Sequence, residues 1–138
     1  MENLKFASEK LNPYGIQLLI EPINTRDVPG IYLNHTDQAL SILEKVESNN
    51  LGLQYDIYHM QIMEGDLTKA IEDNIKQISH VQIADNPGRN EPGTGEINYP
   101  FLLHVLDRIG YQGWVGCAYK PLSTTQAGLT WLEPYLRQ

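Results

Sequence analysis

Apolar residues are distributed along this chain in two alternating rhythms. Short, largely apolar runs occupy residues 16–20, 51–57, 78–84 and 114–117, and the first of them, nearly continuous, shows no period-two alternation. Such runs read as strands of a parallel sheet covered on both faces. Between and after them, apolar side chains recur every three or four positions: Ala39, Leu40, Leu43 and Val46; Leu67, Ala70, Ile71, Ile75 and Ile78; Phe101, Leu102, Val105, Leu106 and Ile109; Leu129, Leu132 and Leu136. That spacing predicts helices with one buried stripe each. A shorter stripe of Leu4, Ala7 and Leu11 precedes the first run, so the expected order is one helix followed by four strand–helix units.

Turn and cap chemistry places the boundaries. Asn12-Pro13-Tyr14-Gly15 ends the first helix, and Pro22, Asn24, Asp27, Pro29, Gly30 and Asn34 mark residues 22–35 as loop. Thr36 stands where an N-cap is needed, with Asp37 in the first turn. Ser48-Asn49-Asn50 breaks that helix, and a loop through Gly65 leads to Asp66 as the next cap. Asn98 caps a helix with Pro100 in its first turn and Gly110 at its stop, and Ser123 and Gln126 have the spacing of a capping box. Residues 85–97 form a glycine- and proline-rich loop long enough for a functional role.

Strands alternating with helices imply parallel neighbours, because a parallel pair needs a crossover connection. The strand ends fall at Glu21, Asp56, Gln82 and position 118, separated by 35, 26 and 36 residues, which suits βαβ units of about 30 residues or more. In such architectures ligands bind at the carboxyl ends of the strands, where side chains from separate strands converge. Oxygen donors without thiolates suit Mg²⁺ or Mn²⁺. Taken singly, each residue has an ordinary reading as well: Glu21 as a cap, loop or surface group, Asp56 as a turn former, Gln82 as a plain hydrogen-bonding residue.

Composition narrows the setting. The 138 residues are 41% hydrophobic and 20% charged, the profile of one globular domain over 1–138. A net charge of -7 without any Lys/Arg cluster argues against nucleic acid or an anionic membrane as partner. No apolar run approaches the roughly 20 residues of a membrane span, and the first residues lack a signal peptide's basic start, so a cytoplasmic setting is expected. The single Cys117 excludes an intramolecular disulfide and reads as a buried small hydrophobe. Trp114 and Trp131 read as core or helix-packing residues, and His35, His80 and His104 as structural or exposed.

Five ordered segments carry more specific information: Leu-Ile-Glu-Pro-Ile-Asn at 19–24, Gln-Tyr-Asp-Ile-Tyr-His-Met-Gln at 54–61, His-Val-Gln-Ile-Ala-Asp-Asn-Pro-Gly-Arg at 80–89, Pro-Gly-Thr-Gly-Glu-Ile at 92–97 and Gly-Tyr-Gln-Gly-Trp-Val-Gly-Cys-Ala-Tyr-Lys-Pro at 110–121. Together they resemble the hydroxypyruvate isomerase family, within the xylose isomerase-like TIM barrels. The resemblance spans nearly the whole chain but only the second half of that family's barrel. It implies half of a (β/α)8 barrel, a metal ion held by Glu21, Asp56 and Gln82, and a substrate met by His59 and Arg89. The implied chemistry interconverts hydroxypyruvate and tartronate semialdehyde through an enediolate. Two glutamates on opposite faces move the proton and the metal stabilises the oxyanion. Glu21 matches one glutamate; the other position carries Ala118.

Two consequences follow for the isolated chain. Four strands leave two unpaired edges, so a second copy, as a homodimer, or a separate N-terminal half barrel is expected to close the barrel. Loss of one proton-transfer group, worth about 10² to 10⁴ in rate, predicts negligible isomerase activity with weak Mg²⁺ or Mn²⁺ binding. The alternatives are a half barrel that binds or assembles without turnover, and a piece made for the study of folding.

Overall fold

The structure, a computed structural model, describes residues 1–136. Helix α1 (Glu2–Leu11) leads through a 3-10 turn (Asn12–Tyr14) to β1 (Leu18–Ile20), followed by α2 (Thr36–Val46), β2 (Leu51–Asp56), α3 (Ile57–Met63), α4 (Leu67–Asn74), β3 (Ile78–Ile83), α5 (Tyr99–Arg108), β4 (Trp114–Cys117) and a 3-10 helix (Ala127–Tyr135). The strands form one sheet in the order β1-β2-β3-β4, each neighbouring pair parallel. Strictly sequential order is that of a barrel segment; a doubly wound sheet would reverse direction at a switch point. The architecture is therefore four parallel strands of a TIM-barrel half.

The central strands carry the core: β2 is buried at every position but Gln54, whereas on β3 Ile78, Val81 and Ile83 are buried and Ser79, His80 and Gln82 only partly covered. Leu53, Tyr55, Val81 and Ile83 are inaccessible to solvent and meet Ala39 from α2, Ile57 and Met60 from α3, Ile71 from α4 and Leu102 and Leu106 from α5. Fully burying one such side chain contributes about 1.5–3 kcal/mol. Helix α5 has the expected ends: Asn98 Oδ1 accepts the Phe101 N–H at 3.2 Å. At its other end Gly110 adopts φ +76°, and the Tyr111 N–H returns to Leu106 O at 3.0 Å. A left-handed residue is what lets the chain leave the helix there.

Several boundaries differ from the sequence reading. The N-cap of α2 is His35, and Thr36 is the first helical residue; its backbone N–H and hydroxyl are both held by the Glu64 carboxylate, at 2.6 and 2.9 Å. Ile57, expected to end the strand, and residues 58–63, expected as loop, form α3 because Asp56 caps it, Oδ1 accepting from the Tyr58 N–H at 2.8 Å and the His59 N–H at 3.2 Å. Asp66 precedes α4 in a left-handed conformation, φ +43°, without capping it through its side chain.

The last segment also departs from expectation. It is a 3-10 helix interrupted by Pro134, opened by Thr124 Oγ1 accepting the Ala127 N–H at 3.2 Å, not by Ser123. Leu129 and Leu136 are exposed, Trp131 and Leu132 are partly covered, and Gly128 is buried. Proline lacks the N–H that an α-helix would need at that point. Phe101, Trp114 and Cys117, expected inside, are exposed, with Trp114 at 83%. Both of the last two lie on β4, which pairs only with β3.

Candidate active site

The strand ends converge as the parallel topology demands. Asp56 closes β2 and pairs in register with Gln82 on β3; Gln82 pairs with Gly116 on β4. Glu21 follows the last residue of β1, and Ala118 follows β4, its N–H donating to Ile83 O at 3.0 Å. Period-two alternation returns position 118 to the face of Gly116. A side chain there would join those of Asp56 and Gln82, but alanine offers only a methyl group.

Glu21, Asp56 and His59 each bring one potential ligand atom within 4.8 Å of the other two. Asp56 is fully buried. Its Oδ1 is taken up by capping α3, whereas Oδ2 has no hydrogen-bond partner among the described residues and lies 3.8 Å from His59 Nε2. Burial pushes the Asp56 carboxyl above its usual range, against the pull of His59 and Arg89. Burial and then the neighbouring Asp56 charge push Glu21 up too, while Gln54 and Arg89 oppose. His59 is displaced downward, chiefly by burial. Two carboxylates sharing a low-dielectric pocket, one with an unpartnered oxygen, are costly alone and favourable around a cation. The two carboxylates are therefore donors of the kind that suits a hard divalent ion.

Beside this pair lies a cleft of about 510 Å³ lined by Arg26, Asp27, Tyr58, Gly88, Arg89 and Lys120. Tyr58 organises it. Its hydroxyl accepts from Arg26 Nη2 and donates to Asp27 Oδ2, both at 2.8 Å, and its ring lies beneath the Arg26 and Arg89 guanidinium groups at 5.7 and 5.2 Å. His59 is buried, with Arg89 Nη2 3.3 Å from its Nε2. Thus the structure brings His59 and Arg89 together beside Glu21 and Asp56, and Gln82 stands next to Asp56 in the ladder.

Arg89 is held by the loop that the glycine and proline content marked. Asp85, almost fully buried, accepts five backbone N–H groups: Asn86 and Ile97 on Oδ1, Gly93, Thr94 and Gly95 on Oδ2, at 2.9–3.1 Å. Its carbonyl accepts the Arg89 N–H at 2.8 Å, and Arg89 O accepts from Lys120 N–H at 2.8 Å, tying the loop to the exit of β4. Sequence reasoning passed over Asn24, Arg26, Tyr58 and Asp85. Only Asp85, a carboxylate that opens a glycine-rich loop, carried a local signal; the others are recognisable only once distant segments meet.

The fold and site define a parallel half barrel with an oxygen-rich pocket at the carboxyl ends of its strands. The model of the xylose isomerase-like TIM barrel family matches residues 1–135, and the chain belongs to that family. It is 55% identical over 135 residues to the hydroxypyruvate isomerase of Escherichia coli strain K12, covering 98% of this chain and 52% of that protein. It is 50% identical over 136 residues to a 2-oxo-tetronate isomerase of Cupriavidus necator, covering 99% and 52%. Among solved structures, one titled AP endonuclease, family 2, from Brucella melitensis superposes with a TM-score of 0.94 at 49% identity, over 97% of this chain and 52% of that one. The chain thus spans about half the length of the relatives it matches. No helix among the described residues is long and apolar enough to cross a membrane.

Proposed function

We propose that this chain is the metal-binding half of an isomerase of the hydroxypyruvate isomerase type, acting in the cytosol on a small hydroxy-keto acid. The observation that carries this reading is the buried, unpartnered Asp56 Oδ2 beside the half-buried Glu21 carboxylate at the strand ends. Glu21, Asp56 and Gln82 would hold Mg²⁺ or Mn²⁺, which would supply positive charge to stabilise the oxyanion of the enediolate. Arg89 binds the substrate carboxylate, and His59 meets an oxygen beside it. Glu21, its carboxyl raised by burial, is the base that takes a proton from the carbon next to the carbonyl. Return of the proton from the opposite face needs the carboxylate that Ala118 does not provide.

The barrel is closed by a second copy or by a complementary half, because β1 and β4 each have only one strand neighbour among the described residues. In this state the chain alone is inactive, and residues 1–138 act as one half-barrel unit. Ala118 favours a second reading, a half barrel that keeps ligand contacts without turnover. Mn²⁺ titration and hydroxypyruvate assays separate the two. On the isomerase reading, the native chain binds Mn²⁺ weakly with negligible turnover. Ala118→Glu strengthens binding at least tenfold and, mixed with the missing half, restores turnover. A mixture that shows neither tighter binding nor turnover overturns the isomerase reading; turnover by the native chain alone overturns the role given to position 118.

A further inference from the structure

His59 lies close enough to Glu21 and Asp56 to be counted among the metal ligands, and the hydrogen bonds around its ring decide whether it is one. Asn24, fully buried in the loop after β1, presents two atoms to His59 Nδ1: its backbone N at 3.3 Å and its side-chain Nδ2 at 2.6 Å. The backbone N–H can only donate. The amide orientation is equally fixed, because Asn24 Oδ1 accepts the backbone N–H of Asp27 at 2.7 Å and Nδ2 donates to Asp27 Oδ2 at 3.2 Å. Both atoms facing Nδ1 are therefore donors, and Nδ1 must offer its lone pair. A ring that accepts at Nδ1 carries its proton on Nε2.

We propose that Asn24 is a positioning residue: it fixes the His59 proton on Nε2, making His59 a hydrogen-bond donor to the substrate and excluding it from the metal's ligands. The inference rests on the metal-and-substrate reading above for its functional meaning, but the proton's location stands on the hydrogen bonds alone. Nε2–H then faces two groups. Asp56 Oδ2 lies 3.8 Å away, too far for a good hydrogen bond. Arg89 Nη2 lies 3.3 Å away and is itself only a donor. Two donors that face each other share an oxygen placed between them, and a carboxylate or carbonyl oxygen of the substrate meets that need. A lone pair on Nε2, which a metal would require, is not available while Asn24 holds Nδ1.

Long-range ¹⁵N–¹H spectra of the labelled native chain test this directly, because the two neutral tautomers give different ring-nitrogen patterns. His59→Gln identifies the His59 signals by their disappearance. The expected native pattern is a proton on Nε2, and a proton on Nδ1 overturns the proposal whatever any variant does. Asn24→Asp places an acceptor against Nδ1 and is expected to move a proton onto it; an unchanged pattern in a folded variant also counts against Asn24. In Mn²⁺ titrations His59→Gln should change affinity less than twofold while Asp56→Asn lowers it at least tenfold. A tenfold loss in His59→Gln would show that His59 is a ligand after all. If the native chain binds no Mn²⁺ at all, the metal reading fails, and the ring spectrum still decides the role of Asn24.

Discussion

Gly95 donates its backbone N–H to Asp85 Oδ2 at 2.9 Å, and its Cα has no room for a side chain: a Cβ would fall 2.0 Å from Asn86 O and 2.7 Å from Asp85 Oδ1. The two residues form the knot of the loop that presents Arg89. Hydrogen bonds to a charged group contribute about 1.5–3 kcal/mol each, and a buried donor left unpaired costs about 1–3 kcal/mol. Asp85→Ala strands the buried N–H groups of Asn86 and Ile97 and the part-buried ones of Gly93, Thr94 and Gly95, so a loss of about 3 kcal/mol or more in denaturant unfolding is expected. Gly95→Ala must push backbone against backbone and should open the same loop, seen as faster proteolysis within residues 85–97.

Asp56 sets the needs of the site against those of the fold. Its Oδ1 caps α3, which an asparagine oxygen does equally well, while its charge sits buried beside Glu21. Burial raises the Asp56 carboxyl in the folded chain. The folded state therefore binds the proton more tightly than the unfolded one, and this contribution is fully present below the unfolded value near 3.8 and lost as pH rises through the folded one. Without metal, Asp56→Asn should be more stable than the native chain by about 1 kcal/mol at neutral pH. That advantage should shrink as pH falls through the raised folded value towards 3.8. Thermal unfolding in chelator across this range checks both sign and window, and an advantage that grows on acidification would contradict the assignment.

How much of this was legible in the sequence depended on the range of the interaction. The parallel sheet, its sequential strands and the positions of Glu21, Asp56 and Gln82 follow from apolar runs and turn residues, which act locally. The start of α3 did not, because Asp56 has two uses at once, cap and site, and the apolar run passes through Ile57 and Tyr58 without a break. Asn24, Arg26 and Tyr58 looked like loop and core residues, since their partners lie 31 to 60 positions away. Trp114 and Cys117 were misjudged because hydrophobicity says that a residue needs cover, not that the same chain provides it.

Tyr58 is expected to show which part of a side chain the site depends on. Its hydroxyl links Arg26 to Asp27, and its ring supports Arg89. Tyr58→Phe removes the link and keeps the platform, so stability should fall by about 1 kcal/mol, while Arg89 stays in place. Tyr58→Ala removes both and leaves a cavity, with a loss of about 3–5 kcal/mol typical of large aromatic truncations. If binding of a small carboxylate, followed by calorimetry, weakens as much in Tyr58→Phe as in Tyr58→Ala, the hydroxyl and not the ring governs Arg89.

Trp114, exposed on β4, gives the test of barrel closure. The strand's outer edge is unpaired among the described residues, and next to it Leu103, Tyr111, Val115, Cys117 and Trp131 line an apolar groove of about 310 Å³. At the other end of the sheet β1 is equally unpaired, with Tyr14 and Ile16 exposed beside it. Two-fold pairing of two copies sets β4 of each against β1 of the other, so every edge finds a parallel neighbour and both apolar margins are covered at once. Sedimentation of the native chain at micromolar concentration should therefore show a dimer. Trp114→Lys places a charge in that contact and should weaken association at least tenfold, since buried tryptophans at interfaces commonly contribute 2 kcal/mol or more. A native chain that sediments as a stable monomer would exclude the second copy and leave the complementary half as the only closure.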